Sequence, residues 1–237
     1  MKTFIWSLPI RIFHWLFAFG FATAYILGEN EISMNFHYAL GVAVGLLAFF
    51  RILFGFFGPK YAHFSDFPVS IPKIMDYLIN LKTRVTRYYG HNPLAALAMI
   101  GMLIFAILTS FSGLVMYLSE IGYVAFDSDV FEDFHEVSAN IFLILVIAHL
   151  LGLLLDFVFH NSDGTLLSMI SGYKNGKTEE TKLNKSHSVF ALFALLLAAY
   201  GSFLAYQFAP IDDEKGDKTE QHDKKHSDDH DDDDDDD

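Results

Sequence analysis

Five apolar runs dominate this chain, from about Ile10 to Gly28, Phe36 to Gly58, Leu94 to Leu118, Phe134 to Phe159 and Val189 to Ala209. Each is close to the ~20 residues that an α-helix needs to cross a bilayer. A backbone in hydrocarbon must satisfy its own hydrogen bonds, so runs of this length read as helices. The sequence therefore predicts an all-α polytopic membrane protein, a four-helix transmembrane bundle plus a fifth transmembrane helix. Composition agrees, since 25 Phe outnumber the 16 Lys and Arg together, which is too apolar for an ordinary soluble domain. No small-x-small cleavage pattern follows the first apolar core, so that run is expected to remain an uncleaved span.

Lys and Arg orient the spans. Lys2 and Arg11 precede the first; Lys60, Lys73, Lys82, Arg84 and Arg87 lie between the second and third; Lys174, Lys177, Lys182 and Lys185 lie between the fourth and fifth. These segments are expected in the cytoplasm. The loops around Glu29–Asn35 and Ser119–Asp133 carry acids and no Lys or Arg, so they face outward. The N-terminus is then expected in the cytoplasm and the C-terminal tail on the outer side. Residues 71–81 place Ile71, Ile74, Met75, Leu78, Ile79 and Leu81 at helical spacing among Lys and Asp, which predicts a short helix lying in the interface or on the bundle.

The net charge of −13 belongs mostly to the tail, because residues 212–237 hold 15 acidic and four basic residues. With no apolar residue to build a core, that segment is expected to be disordered. The expected organisation is thus a core over residues 1–175, a cytoplasmic linker over 176–188, the fifth helix over 189–209 and an acidic Asp/His-rich tail over 210–237.

The chain has no cysteine, which excludes disulfides, iron–sulfur ligation and covalent haem attachment through C-x-x-C-H. A redox cofactor would have to be held non-covalently, and histidine is the available ligand. Four histidines lie within or at the ends of spans: His14 on the first, His37 on the second, His135 and His149 on the fourth. An ionisable side chain in a span is a functional hypothesis by default.

The fourteen residues from His135 to His149 make almost four helical turns, at ~3.6 residues per turn, and separate the two by ~21 Å. Both imidazoles therefore project from one face at two depths. By depth, His37 pairs with His135 near the outer side and His14 pairs with His149 further in, the arrangement that two stacked bis-histidine haems require. His149 lies about ten residues from the end of its span while His14 lies near the start of its own, so either the fourth helix protrudes or the first is tilted. Gly20, Gly41, Gly45 and Gly152 lie on these faces, where small residues leave room for a flat macrocycle or allow close helix packing.

Arg51 repeats the fourteen-residue spacing from His37 and should reach the inner level. There it would pair with a haem propionate or a quinone oxygen, or else snorkel to the interface. His91 and Asn92 of "GHNP" stand at the cytoplasmic start of the third span, placed for a quinone or propionate contact or simply for starting the helix. Asp156 and His160 follow His149 close to the same face and could relay protons. Thr109, Ser110 and Ser112 can hydrogen-bond back to their own helix and are given no site. His63 and His187 read as interfacial surface residues. In the tail, His222, His226 and His230 recur every four residues and could hold a divalent metal weakly, while its negative charge would attract a basic periplasmic partner.

The segments "WSLPIRIFHWLFAFGFATAYILGE", "FHYALGVAVGLLAFFRILFGFFGPKYAHFSDF", "GHNPLAALAMIGML" and "FEDFHEVSANIFLILVIAHLLGLLL" resemble the bacterial cytochrome b561 and nickel-hydrogenase b-type cytochrome family. That family is itself similar to the cytochrome b subunits of formate dehydrogenases. The resemblance covers roughly residues 4–175 and implies a bacterial inner (cytoplasmic) membrane, which would make the outward-facing C-terminal tail periplasmic. It implies a four-helix dihaem core with two b-type haems ligated by His14, His37, His135 and His149. Electrons would move between the quinone pool and a partner redox protein, the chain acting as the quinone-reactive subunit of an oxidoreductase. Partners implied or expected are membrane lipid, a quinone, a periplasmic c-type cytochrome or other redox subunit, and a second copy of the chain in a homodimer; nucleic acid is not among them. The fifth helix and acidic tail depart from the four-helix pattern. Rival readings are a free-standing quinone oxidoreductase fed by a small outer-face reductant, and a haemless histidine-based metal transporter or sensor.

Overall fold

The computed structural model describes residues 2–28, 33–80, 88–124, 128–160, 164–176, 179–182 and 185–209. The acidic tail with His222, His226 and His230, and the cationic residues Lys82, Arg84 and Arg87, lie outside the described residues. Among the described residues five helices are long and apolar enough to cross a membrane: α1 (Leu8–Leu27), α2 (Met34–Phe57), α4 (Pro93–Glu120), α5 (Ser128–His160) and α7 (Lys185–Gln207). Between them lie the shorter helices α3 (Ile71–Ile79) and α6 (Thr165–Ser171), and two three-residue strands, β1 (Lys2–Phe4) and β2 (Tyr173–Asn175).

Local chemistry sets the boundaries. Asn92 caps α4 by accepting the Ala95 N–H at 2.8 Å, and Pro93 follows in the first turn, where its missing N–H costs nothing. Gly164 and Gly172 bracket α6 with φ of 70° and 86°, left-handed values that glycine adopts without strain. α5 begins at Ser128, six residues ahead of its apolar run, because Asp129 in its first turn complements the helix dipole. α5 continues eleven residues beyond His149, whereas His14 lies six residues into α1.

The core is a chain of helix pairs. α1 packs on α2, α2 on α4, and α4 along most of α5. α1 and α5 make little backbone contact and are bridged by side chains, with the rings of Phe21 and Phe142 3.9 Å apart and the Tyr25 hydroxyl donating to Asn140 Oδ1 at 2.7 Å. Phe21, Val44, Ala48, Leu103, Ala106 and Phe142 form the buried centre.

α7 covers the far side of α2. Its buried residues Ala191, Ala194, Ala198 and Ala205 form a seam with Gly201, where a Cβ would come within 2.7 Å of Leu46. Lipid provides no hydrophobic drive between spans, so close approach over small side chains is what joins these two helices. The opposite face of α7, including Leu192, Leu196 and Phe203, is exposed, as suits a lipid-facing surface.

At the end of the bundle that carries the N-terminus, the chain closes on itself. β1 pairs antiparallel with β2, Thr3 opposite Lys174. The N–H groups of Ile5 and Trp6 both donate to the Gly172 carbonyl, at 2.9 and 3.1 Å. The Trp6 indole donates to Ser168 Oγ at 3.0 Å. Thr181 reaches back as well, its N–H bonding Phe4 O at 3.0 Å and its buried hydroxyl bonding Ile5 O. Lys60 and Glu179 form an exposed ion pair. Residues 179–182 are therefore docked on the core, and α7 starts at Lys185, inside the segment expected to be linker.

Candidate functional site

The four span histidines fall into two groups at opposite ends of the bundle. Away from the N-terminal end, His37 in the first turn of α2 faces His135 in the third turn of α5, with ring centroids 6.0 Å apart and planes at 69°. Each ring is anchored from behind. His37 Nδ1 lies 2.8 Å from the Ala24 carbonyl of α1, and His135 Nδ1 lies 2.9 Å from the Thr109 carbonyl of α4. A carbonyl only accepts, so in both rings Nδ1 carries the proton and Nε2 keeps its lone pair for a metal. Two imidazole nitrogens on one metal, each bonded at ~2.0 Å, put ring centres about 6 Å apart. The spacing and the tautomers fit a bis-histidine iron between α2 and α5.

Toward the N-terminal end, His14 of α1 and His149 of α5 are both half-buried, close enough that charge on His149 acts on His14. Among the described residues five buried polar atoms lack a partner, Ser7 Oγ, Arg11 Nε, His14 Nδ1, Arg51 Nη1 and His91 Nδ1, and all belong to this end of the bundle. Unpaired buried groups are costly, so this end is suited to receive a polar group. The donors on Arg51 and His91 fit a carboxylate such as a haem propionate. Arg51 reaches the loop that follows α2. Its Nη2 donates to Ala62 O at 3.1 Å, and its guanidinium lies 5.6 Å from the Phe64 ring. His91 is clamped between Trp6 and Phe67, with ring centroids at 5.0 and 4.8 Å. Burial, reinforced by the positive charges of Arg51 and Lys174, lowers its pKa to about 3, so it is a neutral imidazole at physiological pH. His91 also lines an open cavity of about 360 Å³ together with Lys60, Tyr61, Asp66, Tyr88 and Tyr89.

The model of the prokaryotic cytochrome b561 family matches residues 5–172, which include all four span histidines. The chain belongs to that family. It is thus a multi-pass membrane chain of a b-type cytochrome family. It is 27% identical over 141 residues to the probable Ni/Fe-hydrogenase B-type cytochrome subunit of Bradyrhizobium diazoefficiens, covering 48% of this chain and 57% of that protein. It is 23% identical over 218 residues to the probable Ni/Fe-hydrogenase 1 B-type cytochrome subunit of Escherichia coli K12, covering 73% of this chain and 91% of that one. The chain therefore spans little more than half the length of the first relative and most of the second. No solved structure matches it.

Within this family member the remaining polar residues sort by contact. The side-chain oxygen of Asn92 is engaged in capping α4. His63 caps a short 3-10 turn through Ser65, and His187 Nε2 contacts the Phe57 carbonyl at 3.0 Å. Asp156 acts on Tyr77 of α3 and, after burial, helps raise its pKa to about 12. Among the described residues no three His, Cys, Asp or Glu side chains converge as in a protein metal centre. Gly20 and Gly45 serve helix contact, against Val44 and Ser110, whereas a Cβ on Gly41 or Gly152 would meet nothing within 4 Å. Sequence reasoning missed the groups behind the rings: the Ala24 and Thr109 carbonyls, Ser112, and Gly113, where a Cβ would lie 2.9 Å from His135 Cε1.

Proposed function

We propose that this chain is the dihaem electron-transfer subunit of a membrane oxidoreductase, exchanging electrons between the quinone pool and a partner redox subunit. His37 with His135 would hold an outer b-type haem, and His14 with His149 an inner one. Bound haem supplies a one-electron couple, and two histidines on each iron leave no position open for a small ligand. The protein's share is to aim the imidazoles, to pair propionates with Arg51 and His91 and to exclude water through the aromatic core. The cavity beside His91 would receive the quinone head group on the cytoplasmic side. Similarity to probable Ni/Fe-hydrogenase B-type cytochrome subunits supports a hydrogenase-type subunit as the favoured partner, with a periplasmic c-type cytochrome as the other.

The observation that carries this reading is the His37–His135 pair, two rings at iron-bridging distance with both Nδ1 atoms tied to carbonyls. Haem extraction and a reduced-minus-oxidised spectrum of the purified full chain test it. Two haems per chain with a b-type α-band are expected. A chain purified without any haem absorbance after expression with haem supplied would overturn it and favour the metal-transport reading.

A further inference from the structure

Behind His135 the structure is more elaborate than a single carbonyl. Ser112 of α4 is completely buried, and its Oγ lies 3.1 Å from His135 Nδ1. That hydroxyl donates back to its own helix, to Leu108 O at 3.0 Å and Thr109 O at 2.9 Å, so an oxygen lone pair faces the imidazole N–H. The Nδ1 proton is thus shared between Thr109 O and Ser112 Oγ. Gly113 makes the approach possible, since any Cβ there would press on the ring. One step along, Ser138 accepts from Thr109 Oγ1 at 2.9 Å and donates to His135 O at 3.0 Å. Ser138 ties α5 to α4 without contact to the ring. Among the described residues His37 has one acceptor behind it, Ala24 O, and His14 Nδ1 has none.

We infer that Ser112 is a positioning residue that sets the electron-donating strength of His135, and with it the potential of the haem bound there. The inference rests on the reading of His135 as a haem ligand. A second acceptor on Nδ1–H draws that proton outward and makes Nε2 a stronger donor. Stronger donation favours the oxidised iron, so it lowers the potential. Gly113 and the doubly bonded hydroxyl fix the rotation of the ring as well as its basicity.

The test compares Ser112→Ala and Ser138→Ala in the full-length holoprotein, by potentiometric titration and low-temperature electron paramagnetic resonance. Ser112→Ala is expected to raise the potential of one haem, shift that haem's resonance and leave the other unmoved. Ser138→Ala removes an equally buried hydroxyl of the same network, and it should lower thermal stability while leaving both potentials in place. If Ser138→Ala moves the potential as far as Ser112→Ala, or Ser112→Ala moves neither haem, the inference is wrong and Ser112 is structural only. A His135→Ala control separates the two levels. If that variant keeps both haems, the ligand reading fails; if it loses one, an unshifted Ser112→Ala counts against this inference alone.

Discussion

Arg51 donates to the Ala62 carbonyl through Nη2 at 3.1 Å, while its Nη1 is buried without a partner. A guanidinium is permanently charged, so this region holds a fixed positive charge with the Nη1 donors unused. A cation near a haem favours its reduced form. Arg51→Gln is therefore expected to lower the potential of the haem that His14 and His149 would hold and barely to move the other. A redox titration showing equal shifts in both would place the charge elsewhere.

The pairing of ligands predicts haem content. His37→Ala or His135→Ala should remove one haem, and His14→Ala or His149→Ala the other, each leaving about half of the wild-type absorbance at the α-band. Variants within a pair should leave the same spectrum and those across pairs different ones. A His14→Ala protein with full bis-histidine content would break the pairing.

His91 predicts a pH dependence of stability. Its pKa is lowered from 6.5 to about 3 in the fold, so between these values the unfolded chain binds a proton that the folded chain refuses. The contribution is complete above the unfolded value and is lost as pH falls toward the folded one, by at most ~1.4 kcal/mol per pH unit. His91→Phe keeps the ring between Trp6 and Phe67 and removes the titration. Melting curves in detergent should show the wild type losing more stability than this variant from pH about 7 to about 5.

Two contacts at the N-terminal closure predict opposite outcomes. Thr181→Val leaves the Ile5 carbonyl without its buried hydroxyl partner and should destabilise by roughly 1–2 kcal/mol. Lys60→Ala breaks an exposed ion pair, which water and salt already screen, and should leave the melting temperature unchanged. Haem content should survive both.

The spans and histidine levels were legible because period and hydropathy act locally: fourteen residues fix a face whatever surrounds it. The closure of Phe4 on Tyr173 and Thr181 was not, since three-residue strands have no period to read. Nor were the groups behind the rings. Ala24 and Thr109 contribute backbone carbonyls, which every residue possesses, and Ser112 satisfies its own helix as any buried serine does while also facing His135. Gly20 and Gly45 illustrate a further limit, because glycine that admits a cofactor and glycine that admits a neighbouring helix are the same letter.

The pairing of the first strand with residues near 173 has a consequence for the order of synthesis. Thr3 bonds the Gly176 carbonyl across a separation of 173 residues, so the segment made first waits for its partners until four spans have emerged. Contacts this distant in sequence form late. His37 and its neighbours on α1, α4 and α5 need nothing beyond α5 to assemble, whereas the region around His14 and His91 stays unroofed until α6 and Thr181 arrive. A nascent chain thus keeps that end open longest.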